Sequence, residues 1–208
     1  MLFAVPLQGA VVEDFDGWSD GAQLGIPDHI VVHILDNDVP SGIPGVIRIM
    51  AANTTSGTQS EYESPGIRIF QGLDPDIVAI QEFNVTHAGG RRAFVDEAFG
   101  TNFHFMVEPG SDSIPKGVIS RWPIVTSGQW DDPQVPNRDF AWATIDIPGH
   151  TNLHVVSVHL HNSGGSSSRN IEAGILVTQV LATFPAGDYI VLAPFSPNPF
   201  FLRPLGSH

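Results

Sequence analysis

Four polar residues stand where apolar runs begin or end, and their types suit work on a phosphate. Asn53 closes the run Val46-Ile47-Arg48-Ile49-Met50-Ala51-Ala52, and Glu82 follows Asp76-Ile77-Val78-Ala79-Ile80 through Gln81. His159 comes near the end of Leu153-His154-Val155-Val156-Ser157-Val158, and Arg138 leads into Phe140-Ala141-Trp142-Ala143. A carboxylate offers hard oxygen to a cation, an imidazole exchanges protons near neutral pH, and a guanidinium clamps phosphate with its forked donors.

Each also has an ordinary reading. Glu82 taken alone is a solvated loop glutamate, Asn53 a turn former or helix cap, and Arg138 an ion-pair partner of Asp139. His159 and His161 are two apart and face one side of a strand, with His154 on the other. A zinc pair is the weaker reading of those two histidines, because Asn162-Ser163-Gly164-Gly165 brings no further Asp or His. A catalytic His159 beside an incidental His161 is the stronger one.

These residues meet only if strands carry them to a common edge. The pattern from residue 46 alternates strands with short helices. Ser64-Pro65 predicts a helix start, with serine as cap and proline at the first position, and Gly72 a stop. Residues 91–99 put Phe94, Val95, Ala98 and Phe99 on one helical face, closed by Gly100. Strands are predicted over 103–107, 117–120, 140–147 and 153–160. Residues 169–183 read as a helix with Ile171, Ile175, Leu176, Val180 and Leu181 inward, and 189–193 as a closing strand. Strands dominate and the helices come irregularly, which predicts an α+β (α/β) layered sandwich over strict βαβ winding.

Taken in order, IRIMAAN, DIVAIQEFN, GVISRWPI, RDFAWATIDIPG and LHVVSVHLHN, then an Arg-initiated helix, resemble the endonuclease/exonuclease/phosphatase (DNase I-like) superfamily. The resemblance runs from residue 46 to 193. It implies a partial four-layer α/β/β/α sandwich with the site at one edge of the paired sheets. It also implies divalent-metal-dependent hydrolysis of a phosphate ester in a nucleic acid, nucleotide or phospholipid head group. By that resemblance Glu82 is a ligand of Mg2+ (or Mn2+ or Ca2+), and Asn53 holds the metal-site network. His159 stands beside the scissile phosphate as acid or electrostatic stabiliser, and Arg138 contacts the phosphate. Lys116 departs from the asparagine that family members commonly carry before the Gly-Val-Ile-Ser-Arg strand.

The family also places Gly-Asp-Phe-Asn after the strand matching YIVLA, and an Asp-His pair near the domain's end. In a gapless match Phe195 takes the place of that aspartate and Pro197 that of the asparagine, with Asn198 available only through a one-residue slip. His208 follows too soon to be the late histidine. The expectation is a domain incomplete at its C-terminus, a hydrolase by ancestry, weak or inactive in this form. The alternative is a non-catalytic remnant, or an acidic calcium-associated binding module of a surface protein.

The 208 residues, 42% hydrophobic, fit one sizeable domain with an appendage. There are no cysteines, which excludes thiol catalysis, disulfides and Cys-ligated zinc. A net charge of −13 opposes binding of nucleic acid by counterion release, so a bound cation or local arginines must supply any positive field. No apolar run approaches the ~20 residues that span a bilayer, and no protein partner is implied.

Residues 1–45 differ in texture from the rest, which divides the chain into 1–45 and 46–208. They are acidic and turn-rich, with one strand over 29–35 and a Pro/Gly linker over 39–45. The opening MLFAVPLQGAVV lacks a basic region and reads as the start of a fragment or strand, not a signal peptide. GAQLGIPDHIVVHILDNDVP resembles the end of a Calx-beta domain, which implies an extracellular or cell-surface setting. Asp36 and Asp38 read as a solvated acidic turn before a calcium contact.

Overall fold

The computed structural model describes residues 32–33, 46–53, 63–110, 113–161, 165–186 and 188–194. The Calx-beta likeness, Asp36, Asp38, Phe195, Pro197, Asn198 and His208 lie outside the described residues.

Two four-stranded sheets form the centre. The first has the order β3 (Ile49–Asn53), β4 (Ile77–Gln81), β6 (Gly117–Ser120), β5 (His104–Val107). The second has the order β10 (Tyr189–Pro194), β9 (Leu153–Val158), β8 (Phe140–Ile145), β7 (Ile124–Trp130). β3 runs parallel to β4, and β10 parallel to β9; the other pairs in both sheets are antiparallel. A two-residue ladder of β1 (Val32–His33) with β2 (Val46–Ile47) precedes them.

The alternation of side chains along each strand builds three cores. Ile77 and Ala79 of β4 face Leu153 and Val155 of β9 between the sheets. Val78 and Ile80 point the other way, onto Ile67 and Phe70 of α1 (Glu63–Leu73) and Phe94 and Val95 of α2 (Gly90–Phe99). Val156 and Val158 of β9 meet Leu176 and Val180 of α3 (Gly165–Thr183), with Phe184 just beyond. The layers are therefore α/β/β/α, a partial sandwich of the expected kind. Strands buried on both faces read as near-continuous apolar runs, which is why β4 and β9 were legible in the sequence.

Two local expectations, at α1 and α3, need correction, and one strand, β7, was not expected. α1 begins at Glu63 and not after a Ser64 cap; Glu63 is buried, and its Oε1 accepts from the Thr86 backbone N and hydroxyl. β7 carries no period-two signal, because several of its residues face solvent and Gly128 interrupts it. A Cβ on Gly128 would sit 2.7 Å from the Trp142 ring, so the glycine makes room for the tryptophan. α3 starts four residues earlier than predicted; Ile175, Leu176 and Val180 face inward as expected, but Ile171 and Leu181 do not, and Glu172 takes a buried place. Ile171 and Leu181 are 47% and 66% exposed, whereas Glu172, Leu176 and Val180, spaced by four, form the buried stripe.

Candidate functional site

The parallel pairing of β3 with β4 puts Asn53 opposite Gln81. Asn53 and Glu82 therefore leave the sheet at the same rim, where Asn53 Nδ2 donates to Glu82 Oε1 at 3.1 Å. Strict alternation would send Glu82 toward the helices. Its left-handed backbone (φ 52°) breaks the alternation, a conformation disfavoured for a residue with a Cβ. Phe83 then returns to the helix-side core.

His159 arrives from the other sheet. Leu153, Val155 and Ser157 face the first sheet, and His159 continues that side just past the end of β9. Its Nε2 lies 3.9 Å from Glu82 Oε1, too long for a hydrogen bond. Arg138 reaches the same strand exit, where its Nη1 donates to Leu160 O at 3.1 Å. The structure thus brings Asn53, Glu82 and His159 together, with the Arg138 charge acting on His159.

The electrostatics decide how His159 is protonated. A carboxylate 3.9 Å away favours the imidazolium. Burial, then the charges of Arg138 and Lys116, act against it and hold the ring down at about 3. Desolvation is the larger effect, so His159 is neutral at neutral pH. Among the described residues its buried Nδ1 has no hydrogen-bond partner.

His161 does not join this group. The strand period ends at Val158, and the His161 ring turns to α3, with Nδ1 at 3.2 Å from Ser168 Oγ. Nor is Asp139 the anchor of Arg138 in this arrangement. Its oxygens take Gln129 Nε2 and Asp132 N, both at 2.9 Å.

Sequence reasoning missed three buried acids around this rim. Glu108 is 3% exposed and lies 3.4 Å from Lys116 Nζ through each carboxylate oxygen. Asp132 and Glu172 are 1% and 0% exposed. The position of Glu172 was readable as the one charge on the stripe of Leu176 and Val180. Asp132 and Glu108 lie in irregular segments with no such signal. Lys116, noted only as a departure, is fully buried and contributes positive charge where an amide is expected.

The donors at the rim suit a hard cation. Glu82 keeps 17% of its side chain exposed, and with Asn53 it offers oxygen and no soft ligand. Magnesium is commonly held by one or two carboxylates and keeps several waters. Among the described residues no group of three or more His, Asp or Glu is placed to hold a metal.

No family model matches the chain, and no curated protein matches it in sequence. Solved structures do resemble it. Truncated TDP2 from Caenorhabditis elegans has a TM-score of 0.54 at 14% identity, over 68% of this chain and 58% of that one. ANGEL2, a 2',3'-cyclic phosphatase, has a TM-score of 0.54 at 12% identity, over 70% of this chain and 51% of that one. An endonuclease/exonuclease/phosphatase family protein from Bacteroides thetaiotaomicron has a TM-score of 0.51 at 14% identity, over 70% of this chain and 61% of that one. The chain spans little more than half the length of these structures. At such identities the likeness is one of fold, and it is the fold shared by all three.

Proposed function

We propose that this chain, with the DNase I-like fold of endonuclease/exonuclease/phosphatase proteins, carries the rim of a phosphate-ester hydrolase site. The observation that carries the reading is the convergence of Asn53, Glu82 and His159 from strands of two sheets. Scattered structural polar residues have no reason to meet at one edge, nor does a loop glutamate need a left-handed backbone to get there.

Glu82 is the residue that would hold a divalent cation, and Asn53 orients its carboxylate. When bound, magnesium neutralises phosphate charge and stabilises the leaving oxygen. His159, neutral and largely shielded, is suited to hydrogen-bond a phosphate oxygen; with its pKa held at about 3 it is a weak base near neutral pH and no resident cation. Arg138 supplies fixed positive charge beside it. The overall charge of −13 makes such local cations the means of attracting a phosphate, and it favours a small ester over long nucleic acid. ANGEL2 is described as a 2',3'-cyclic phosphatase, which makes small phosphodiesters a reasonable first substrate class.

The test is hydrolysis of bis(p-nitrophenyl) phosphate with magnesium, with EDTA and Glu82→Ala as controls. The expected outcome is weak turnover that EDTA removes and that Glu82→Ala lowers at least about 100-fold, the range of a lost catalytic group. Turnover indifferent to both would sink the assignment of the site, and no turnover by the intact chain would favour a non-catalytic role.

A further inference from the structure

Behind Arg138 and the exit of β9 lie two acids that the hydrolase reading does not use. Glu172 of α3 and Asp132, which follows β7, are 0% and 1% exposed and within hydrogen-bonding reach of each other. Both Glu172 oxygens accept from the His161 backbone N, at 2.9 and 3.2 Å. Asp132 Oδ1 accepts from Gln134 N at 2.9 Å. Among the described residues, buried Asp132 Oδ2 has no donor. Two carboxylates that interact out of water resist being ionised together, and a single proton between them supplies a donor for Oδ2.

We propose that Asp132 and Glu172 share one proton, and that the pair so formed is a positioning device for Arg138 and for the segment that carries His159. The inference rests on the hydrolase reading only for the purpose of that positioning; the shared proton stands on burial and contact alone.

The connections run to both ends of the site. Val135 N donates to Asp132 O and Arg138 N to Val135 O, so the loop from Asp132 to Arg138 is closed by two turns. Asp132 N is held by the carboxylate of Asp139, at the entry to β8. Glu172 holds His161 N, Arg169 Nη1 reaches His161 O at 3.4 Å, and Arg138 Nη1 holds Leu160 O. With one proton the pair carries a single negative charge, which the guanidinium of Arg138 offsets. With none it carries two, and the pair repels itself.

Burial, followed by the contact with Asp132, raises the Glu172 carboxyl to about 7, while His161 N and Arg138 pull it down. The charged and titratable groups facing it are Asp132 and Asp139 after β7 and before β8, Arg138, His161 past β9, and Arg169 one turn earlier on α3. The folded value is raised above the unfolded one. The stabilisation is therefore fully present below the ordinary carboxyl value and is lost as pH rises through about 7.

Thermal unfolding of the intact chain from pH 5 to pH 8.5 tests the shared proton, with Glu172→Gln beside the wild type. The amide donates to Asp132 and accepts from His161 N but does not titrate. The wild type is expected to lose several degrees of midpoint over that range, and Glu172→Gln to lose markedly less. Equal slopes would overturn the proposal. Hydrogen exchange at the His161 amide tests the positioning: protection is expected to survive in Glu172→Gln and to fall at least tenfold in Glu172→Leu. Retained protection in Glu172→Leu would overturn it.

If Glu172→Leu does not fold, Asp132→Asn serves, with the same flattened slope expected and an unchanged slope counting against the pair. For bis(p-nitrophenyl) phosphate with magnesium, Glu172→Leu should raise KM more than it lowers kcat, and Glu172→Gln should recover most of that loss. An unchanged KM in Glu172→Leu would break the link to Arg138. A wild-type chain without turnover counts against the hydrolase reading, and the unfolding and exchange measurements still decide the pair.

Discussion

Lys116 shows how a single side chain reaches the site through its charge. It is fully buried beside Glu108, and its ammonium, with Arg138, helps keep His159 neutral. Removing one member of a buried ion pair leaves the other charge stranded, at a cost of about 3–5 kcal/mol. Lys116→Met is expected to lose stability of that order in urea unfolding, and the double variant Lys116→Met/Glu108→Leu to recover most of it. Additive losses would show that the two charges do not compensate each other. Asn53, Glu82, Arg138 and His159 were legible because each stands at the border of an apolar run, where a strand delivers its last side chain to a rim. Glu108 and Asp132 were not, because burial of an acid outside a strand or helix depends on neighbours distant in the chain.

At the scale of elements, close approach of backbones matters more than propensity. Gly117 opens β6, and a Cβ there would lie 2.4 Å from the carbonyl oxygen of Met106 in β5 and 3.0 Å from the Phe83 ring. A backbone oxygen in a paired strand cannot swing aside. Gly117→Ala is expected to cost about 1–3 kcal/mol, as overpacking does, with β5 loosened in hydrogen exchange. A Cβ on Gly72 in α1 would meet nothing within 4 Å among the described residues, so Gly72→Ala should stabilise by about 0.4–1 kcal/mol. Opposite signs for two identical substitutions in one unfolding assay check the packing directly. Residues 91–99 were legible as a helix because their apolar spacing and the terminal Gly100 (φ 96°) agree. The inward face of α3 was legible only in part, at Ile175, Leu176 and Val180. Its apolar residues are spread around the helix, and the buried stripe includes an acid, so periodicity alone pointed to Ile171 and Leu181.

Across the whole molecule, a polar link joins the two sheets beneath the rim. Gln81 Nε2 donates to Ser157 Oγ at 2.8 Å, and Ser157 Oγ donates to Ile80 O at 2.9 Å. Gln81 Nε2 also reaches Ala193 O of β10 at 3.4 Å. Both side chains are completely buried, so a lost partner leaves a polar group out of water. Ser157→Ala is expected to cost about 1–3 kcal/mol, measured by chemical denaturation, with Glu82 and His159 held less firmly relative to each other. A change within a few tenths would mean that the sheets are aligned by their apolar core alone. Apart from β7, the order of strands and helices, the four layers and the four residues at the rim follow from local pattern and from resemblance. Those features are written in neighbouring residues, in the period of burial and in the residues that end it. The left-handed turn at Glu82, the burial of Lys116 with Glu108 and the contact of Asp132 with Glu172 were decided only by tertiary structure. Each depends on which sheet or helix closes over the residue, and desolvation, the largest force acting on His159 and Glu172, exists only once that layer is in place.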